Sequence, residues 1–279
     1  MNLLQALNKG YSILKSSNIG SYKIDTELIL CQCLNISREE LILNLNKRIN
    51  FKEYTEFQKK IERRKAKEPV AYILERKEFW KNEFYISENV LIPRPESEHL
   101  IEETLKLIKK NQSKKLLEIG IGSGCLIISI LKDRKKCFGT GIDCCEKALK
   151  IANINANLHQ IQNRIKILKT DVDNFKSGKY DLIISNPPYI DRHQLKYLDV
   201  REYEPLQALD GGINGIEVLM KVILKASQLL KINGKLIIEI GENQKYKVIK
   251  FLNRNNFFVN KIVKDLSNID RCIISTKLL

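Results

Sequence analysis

The first part of the chain carries apolar residues at helical spacing. Leu3, Leu7, Tyr11 and Leu14 follow one another three or four residues apart, which places them on one face of a helix. Three further helices are predicted, namely one that Asp25 caps and that ends at residue 34, one after the capping box at 37–40, and a charged one over 51–67. Residues 1–68 are therefore predicted to form a small helical domain.

Residues 69–96 have a different pattern, which predicts a linker. The segment 78–86 is aromatic with a polar turn in its middle, and this favours a β-hairpin. The Pro-Arg-Pro sequence at 93–95 predicts a stiff corner. Arg94 and Glu96 are candidates for an ion pair between two domains, a kind of contact that is usually structural.

From residue 97 to residue 279 strands and helices alternate, which predicts an α/β domain with a mostly parallel sheet covered by helices on both faces. The last two strands follow each other without a helix, so we expect a C-terminal antiparallel hairpin on that sheet. The predicted strands cover 115–119, 137–142, 165–168, 180–185, 235–240, 257–263 and 271–276, and the predicted helices cover 124–131, 146–157 and 216–230.

Composition places the chain among ordinary globular proteins. Of the 279 residues 43% are hydrophobic and 29% are charged. No apolar run approaches the roughly 20 residues that span a bilayer, and the N-terminus lacks the order of a signal peptide. We therefore expect a cytoplasmic protein that does not act at a membrane.

The cysteines and histidines argue against disulfides and a metal site, whereas the net charge identifies no partner. The seven cysteines are odd in number and show no C-x-x-C pair, and the three histidines are far apart, so we expect free thiols and no metal site. The net charge of +15 fits a nucleic-acid partner. It fits a general compositional bias equally well, because the basic residues are spread along the chain.

The first candidate site is a glycine-rich turn. The predicted strand at 115–119 runs into Gly120-Ile121-Gly122-Ser123-Gly124 and then into a helix. Glycine lacks Cβ and permits positive φ, so a ligand can lie close to the backbone there. Asp143 ends the next strand, where a carboxylate accepts hydrogen bonds from both hydroxyls of a ribose.

The spacing of these glycines separates two classes of nucleotide site. The dinucleotide fingerprint is G-x-G-x-x-G, whereas here the third glycine comes one residue early and Cys125 stands at the last position. The spacing G-x-G-x-G resembles the S-adenosylmethionine loop of class I methyltransferases. A dehydrogenase is correspondingly disfavoured.

The second candidate site is Asn186-Pro187-Pro188-Tyr189, at the end of an apolar strand. Proline has no N–H to donate to a sheet, so the strand stops there. The Asn186 side chain and the Pro187 carbonyl offer two acceptors, and Tyr189 offers an aromatic face. Such a pocket suits a planar NH₂ group, and it stabilises the charged transition state of methyl transfer to its nitrogen.

These motifs, together with several other segments, resemble the release factor glutamine methyltransferases (the PrmC/HemK family). The resemblance covers about residues 60–279. The chain departs from it at three places: Glu75 stands where the family usually has glycine, Glu96 and Ser97 replace a more usual Asp-Thr, and Asn214 stands where Asp is common. The segments that carry it are 64–74, 78–80, 90–98, 204–212, 265–266 and 270–271.

The resemblance implies a role for each motif residue. The loop 120–124 and Asp143 would bind S-adenosyl-L-methionine, and Asp171 and Val172 would contact its adenine. Asn186 and Pro187 would bind the amide, with Pro188 and Tyr189 completing the pocket. The implied substrate is the glutamine of the Gly-Gly-Gln motif of a class 1 peptide chain release factor, whose body the helical domain would hold.

Two other functions remain open. An adenine-N6 nucleic-acid methyltransferase uses the same kind of pocket on a flipped base, and the positive charge favours it. The chain shows no sizeable insertion for target recognition and no clear helix-turn-helix, so direct nucleic-acid binding is not favoured. A non-catalytic binding protein is the other alternative, and the intact 186–189 motif argues against it.

Overall fold

The structure, a computed structural model, describes residues 1–279. It contains two compact units, Met1–Arg76 and Lys77–Leu279. The division falls inside the predicted linker at 69–96, because the short helix Val70–Leu74 packs on the core of the first unit. No helix is both long enough and apolar enough to cross a membrane.

The first unit is helical, as the pattern predicts. Its helices are α1 (Leu3–Ser16), α2 (Tyr22–Leu34), α3 (Arg38–Leu43), α4 (Phe51–Lys65) and α5 (Val70–Leu74). Capping boxes begin three of them, at Asn2, Ser37 and Asn50. The C-cap residue of α5 is Glu75, whose φ of 55° is left-handed, which explains why glycine suits this position.

The predicted cap of α2 is wrong. The helix begins at Tyr22, and Asp25 lies one turn inside it. The Asp25 carboxylate is buried, accepts a hydrogen bond from Ser21 Oγ at 2.6 Å, and pairs with Arg64 Nε of α4 at 2.7 Å. A tertiary ion pair therefore explains this acid, rather than a capping role.

The second unit begins with a hairpin whose strands are β1 (Arg76–Phe79) and β2 (Asn82–Tyr85). A seven-stranded sheet follows. Its strands are β3 (Lys115–Ile119), β4 (Phe138–Asp143), β5 (Ile165–Lys169), β6 (Tyr180–Ser185), β7 (Leu230–Glu239), β8 (Phe257–Lys264) and β9 (Asp270–Lys277), and its helices are α6 (Glu98–Leu107), α7 (Cys125–Asp133), α8 (Glu146–Leu158), α9 (Arg192–Leu195), α10 (Glu217–Leu229) and α11 (Lys245–Arg254).

The strand order is β5-β4-β3-β6-β7-β9-β8. The first five strands run parallel, and β9 is antiparallel to both β7 and β8. The predicted α/β class and C-terminal antiparallel hairpin are confirmed. Helices α6, α9 and α11 were not predicted. Both α6 and α11 are amphipathic, so the sequence carried a helical spacing of apolar residues that the prediction missed, whereas α9 has only four residues.

The topology defines where a ligand can bind. Strands β3 and β6 are neighbours, although the β4 and β5 segments lie between them in sequence, so the chain reverses its direction of progress across the sheet at β3. In an open α/β sheet, ligands bind in the crevice at the carboxyl ends of the strands beside this switch point. The residues that follow β3, β4 and β6 are therefore placed together.

Candidate active site

A cavity of about 470 Å³ opens at the carboxyl ends of β3, β4 and β6. Its volume lies within the usual range for small-molecule sites, roughly 300–1,000 Å³. Of the residues predicted for a site, only Gly124 and Tyr189 do not line it. Those that do are Gly120, Ile121, Gly122, Ser123, Asp143, Asp171, Val172, Asn186, Pro187 and Pro188.

The three glycines of the loop after β3 have different roles. Gly120 and Gly122 have φ values of 75° and 53°, and a Cβ at either position would meet no atom within 4 Å. Their backbone is therefore open to the cavity. Gly124 also has positive φ, but a Cβ there would lie 2.8 Å from Ile128 Cδ1. Gly124 is the N-cap of α7 and Ile128 lies one turn further along that helix, so glycine leaves room for the Ile128 side chain in the first turn, which is a structural role.

Hydrogen bonds to β4 hold the loop in place. The N–H groups of Gly120 and Ile121 both donate to the Ile142 carbonyl at 2.9 Å. The Asp143 carboxylate accepts from the Gly122 N–H at 3.0 Å and from the Cys145 N–H at 2.9 Å. Each carboxylate oxygen has further lone pairs, so Asp143 is oriented by the chain and still able to accept from ligand hydroxyls.

Glu118 lies beneath the loop and was not predicted as a site residue. It is fully buried in β3, and its Oε2 accepts the Ile127 N–H of α7 at 3.0 Å. Burial raises the pKa of this carboxyl well above its usual value, and the charge of Asp143 adds to the effect. Because Glu118 occupies an N–H at the start of α7, this helix offers a poor seat for a pyrophosphate.

Asp171 and Val172 follow β5 and reach the same cavity. The Thr170 N–H donates to the Asp143 carbonyl at 3.0 Å, which brings this turn next to the end of β4. The Asp171 side chain is exposed, and its Oδ1 accepts the Asp173 N–H at 2.8 Å. The structure thus brings together the segments that the sequence placed at a nucleoside site.

Asn186 begins the loop after β6, and its amide group has a defined orientation. Its Nδ2 donates to Ser97 Oγ at 2.9 Å, so Oδ1 remains as the acceptor available to the cavity. The Pro187 carbonyl accepts no hydrogen bond from the backbone, and Pro188 has no N–H to donate. The two acceptors that the sequence predicted therefore stand side by side in the chain without competing partners.

Tyr189 turns away from the cavity. Its hydroxyl donates to Glu239 Oε1 at 3.1 Å, and burial together with this carboxyl raises the Tyr189 pKa. Its carbonyl accepts from Gln244 Nε2 at 2.8 Å. A Cβ at Gly215 would lie 2.1 Å from this carbonyl oxygen, so the segment around Gly215 packs directly on the loop.

The candidate interdomain pair of Arg94 with Glu96 is wrong. Arg94 instead pairs with Glu204, which belongs to the same compact unit. Glu204 is only 5% exposed and also accepts the Ile92 N–H at 3.1 Å. A buried carboxylate of this kind needs a cation beside it, whereas Glu96 is partly exposed.

Comparison with known proteins points in one direction. Family models match the PrmC N-terminal domain over residues 5–74 and the methyltransferase small domain over residues 98–202. A release factor glutamine methyltransferase of Clostridium botulinum is 35% identical, covering 99% of this chain and 100% of the relative. That of Caulobacter vibrioides is 32% identical, with 99% and 97% covered. The chain belongs to the release factor glutamine methyltransferase family.

The resemblance seen in the sequence is thereby confirmed, and the chain is a methyltransferase of this family. Solved structures agree on the fold. A ribosomal protein L11 methylase of Lactobacillus delbrueckii subsp. bulgaricus has a TM-score of 0.51 at 19% identity, covering 67% of this chain and 81% of that one. A methyltransferase of Pyrococcus furiosus has a TM-score of 0.53 at 18% identity, covering 80% and 98%.

Proposed function

We propose that this chain transfers the methyl group of S-adenosyl-L-methionine to the side-chain amide nitrogen of the glutamine in the Gly-Gly-Gln motif of class 1 release factors. The observation that carries the chemistry is the orientation of Asn186. Its Nδ2 is committed to Ser97, which leaves Oδ1 to accept from a substrate NH₂ group. Family membership supports the choice of glutamine as the group that carries this NH₂.

The residues of the cavity fit the methyl donor. Gly120 and Gly122 leave open backbone for a close approach, and Asp143 presents an oriented carboxylate to a ribose. Asp171 and Val172 would contact the adenine, while Ile121 and Ser123 complete the loop. When bound, the donor would supply a methyl group on a positively charged sulfur.

Asn186 and Pro187 would activate the amide by holding its two N–H groups. An amide nitrogen is a weak nucleophile because its lone pair is delocalised into the carbonyl. As the nitrogen gains a methyl group it becomes positive, and its N–H groups donate more strongly to the Asn186 Oδ1 and the Pro187 carbonyl. No general base is required for the bond to form, because the extra proton leaves to water once the product cation exists.

The helical unit Met1–Arg76 is proposed to hold the body of the release factor, which would leave the catalytic unit to bind only its glutamine loop. This substrate places the protein in the cytoplasm, where translation terminates. A net charge of +15 also favours binding to nucleic acid, in which the exocyclic amine of adenine would be the methyl acceptor. Unmethylated DNA is therefore included in the test.

The test uses S-adenosyl-L-methionine with a labelled methyl group. The acceptors are a class 1 release factor, its Gly-Gly-Ala variant and unmethylated DNA. We expect label on the unaltered factor alone, and loss of it with Asn186→Ala. Asn153→Ala is the matched control, because Asn153 is an exposed residue of α8 that donates only to the Leu149 carbonyl. Label on DNA and none on the factor would overturn the substrate.

A further inference from the structure

Asn186, which is proposed to bind the substrate amide, is the first of four side chains connected by hydrogen bonds. Asn186 Nδ2 donates to Ser97 Oγ at 2.9 Å, and Ser97 Oγ donates to Glu239 Oε2 at 2.6 Å. Tyr189 donates to the other oxygen of Glu239 at 3.1 Å. Ser97, which lines the edge of the cavity, is 3% exposed and Glu239 is 1% exposed, so these contacts are largely shielded from bulk water.

The direction of these hydrogen bonds follows from the number of protons. A serine hydroxyl has one hydrogen, and an ionised carboxylate has none to give. Ser97 must therefore donate to Glu239, and its oxygen is left as an acceptor. Only the NH₂ side of the Asn186 amide can meet that acceptor, so Oδ1 must point the other way, toward the cavity that Asn186 lines.

We propose that Ser97 and Glu239 are positioning residues, which hold the Asn186 carboxamide in the one orientation that presents an acceptor to the substrate amide. The inference rests on the proposed function and deepens it. With the opposite orientation Asn186 would present its own N–H groups to the N–H groups of the substrate. The two orientations of the Asn186 carboxamide have nearly the same shape, so packing alone favours neither strongly. The direction of the hydrogen bond to Ser97 therefore determines which orientation is adopted.

Because Ser97 connects the two residues, the orientation of the Asn186 carboxamide depends on the charge of Glu239. Burial raises the pKa of Glu239 to about 7, against the lowering effects of the hydrogen bonds from Ser97 and Tyr189. A protonated Glu239 would donate to Ser97, which would free the serine hydrogen to bond Asn186 Oδ1 and reverse the amide. The titratable or charged groups that face Glu239 are Glu96, Cys125, Tyr189, Arg271 and Cys272.

The two reacting groups do not produce such a titration, because neither an amide nor a sulfonium ionises near neutral pH. The α-amino group of S-adenosyl-L-methionine does ionise there, but every variant would share its effect. Of the facing groups, burial raises the pKa values of Cys125, Tyr189 and Cys272, which moves all three further from neutrality. We therefore expect kcat to fall as the pH drops below about 7. This fall of kcat at low pH is the acid limb of the pH profile. Replacing Glu239 by glutamine should remove the acid limb and leave a lower kcat that does not vary with pH in this range.

The experiment compares the full-length chain with Ser97→Ala, Ser97→Thr and Glu239→Gln on a class 1 release factor. Ser97→Ala should lower kcat roughly 10-fold, the value of one hydrogen bond at the upper end of its usual range, and leave the dissociation constant of S-adenosyl-L-methionine within about twofold. Threonine carries the same hydroxyl and should restore most of the rate.

Two control variants test whether removing any buried hydroxyl, or neutralising any buried acid, has the same effect on kcat. Ser275→Ala removes a buried hydroxyl that has no hydrogen-bond partner, in the neighbouring strand β9. Glu103→Gln neutralises a buried acid of α6 that pairs with Lys106 and Lys261. Both should keep the wild-type kcat and the acid limb, even where thermal stability changes.

The outcomes separate the two proposals. If the wild-type chain does not methylate the factor, the proposed function fails. If it does, but Ser97→Ala retains kcat within twofold, or Glu239→Gln keeps the acid limb in a Glu118→Gln background, where the buried carboxyl that lines the cavity no longer titrates, the positioning role is refuted while the function stands. Loss of rate in Ser97→Ala that threonine does not restore, together with weaker cofactor binding, would assign Ser97 a structural role and also refute the inference.

Discussion

Gly215 tests how closely the segment after the Asn-Pro-Pro-Tyr loop determines the position of that loop. Its φ is 66°, which favours glycine, and a Cβ there would lie 2.1 Å from the Tyr189 carbonyl oxygen and 2.7 Å from Gln244 Nε2. Both contacts are far shorter than ordinary packing. In Gly215→Ala either the alanine or Tyr189 must therefore shift by roughly 1 Å, because the surroundings are close-packed.

The size of the effect follows from these contacts. A left-handed non-glycine residue costs about 1–2 kcal/mol, and disruption of the bond from Gln244 to Tyr189 would cost about 1 kcal/mol more. We expect the free energy of unfolding to fall by about 2–3 kcal/mol. Since Tyr189 adjoins the Asn186–Pro188 acceptor group, a displacement of this size should lower kcat roughly 100-fold.

The assay is methyl transfer to a release factor under saturating conditions, with urea unfolding in parallel. Gly178→Ala is the matched control, because Gly178 also has positive φ, at 90°, and lies before β6 at the end opposite Asn186. The control should lose stability and keep its kcat. A kcat of Gly215→Ala within threefold of that of Gly178→Ala would show that Gly215 does not determine the position of the Asn-Pro-Pro-Tyr loop.

Three further predictions concern other parts of the chain. Asp143→Asn should weaken S-adenosyl-L-methionine binding roughly 10-fold or more by calorimetry, because both carboxylate oxygens accept N–H groups and an amide must oppose one of them. Glu118→Gln should gain stability relative to wild type as the pH rises from 5 to 8, measured by urea unfolding. Arg64→Ala should cost about 3 kcal/mol, because it leaves the buried Asp25 carboxylate without its cation.

The sign for Glu118 follows from proton binding. Burial raises its pKa in the folded chain, so the folded protein keeps a proton that the unfolded chain has released. Stability is therefore lost as the pH rises above the unfolded value, and glutamine removes this loss. A difference between the variant and wild type that stays constant with pH would show that Glu118 does not titrate in this way.

The Arg64 variant has a matched control at the preceding residue. Arg63→Ala breaks a more exposed ion pair with Glu68 and should cost less than about 1 kcal/mol. If Arg63 and Arg64 prove equally costly, burial of Asp25 is not the cause. For Asp143, an unchanged dissociation constant in the asparagine variant would exclude the carboxylate from the cofactor site.

Much of the candidate site could be predicted from the sequence, because its signals are local. The glycines directly follow β3, Asp143 is the last residue of β4, and Asn186 directly follows β6, and each of these strands is short and apolar. Parallel strands bring their carboxyl ends to the same edge of a sheet, so residues at those ends converge without any knowledge of side-chain contacts. The α/β class and the final antiparallel hairpin followed from the same alternation of apolar segments.

Tertiary structure alone decided the parts that depend on distant partners. Ser97 lies 89 residues before Asn186 and 142 before Glu239, so no local pattern connects it to either residue, although it belongs to a segment that carries the family resemblance. In the sequence Glu239 is a single acidic residue within an apolar strand. No sequence pattern predicts that the Tyr189 hydroxyl contacts it. Sequence patterns report which face of an element is buried, whereas the direction of a hydrogen bond depends on which polar groups packing brings within reach.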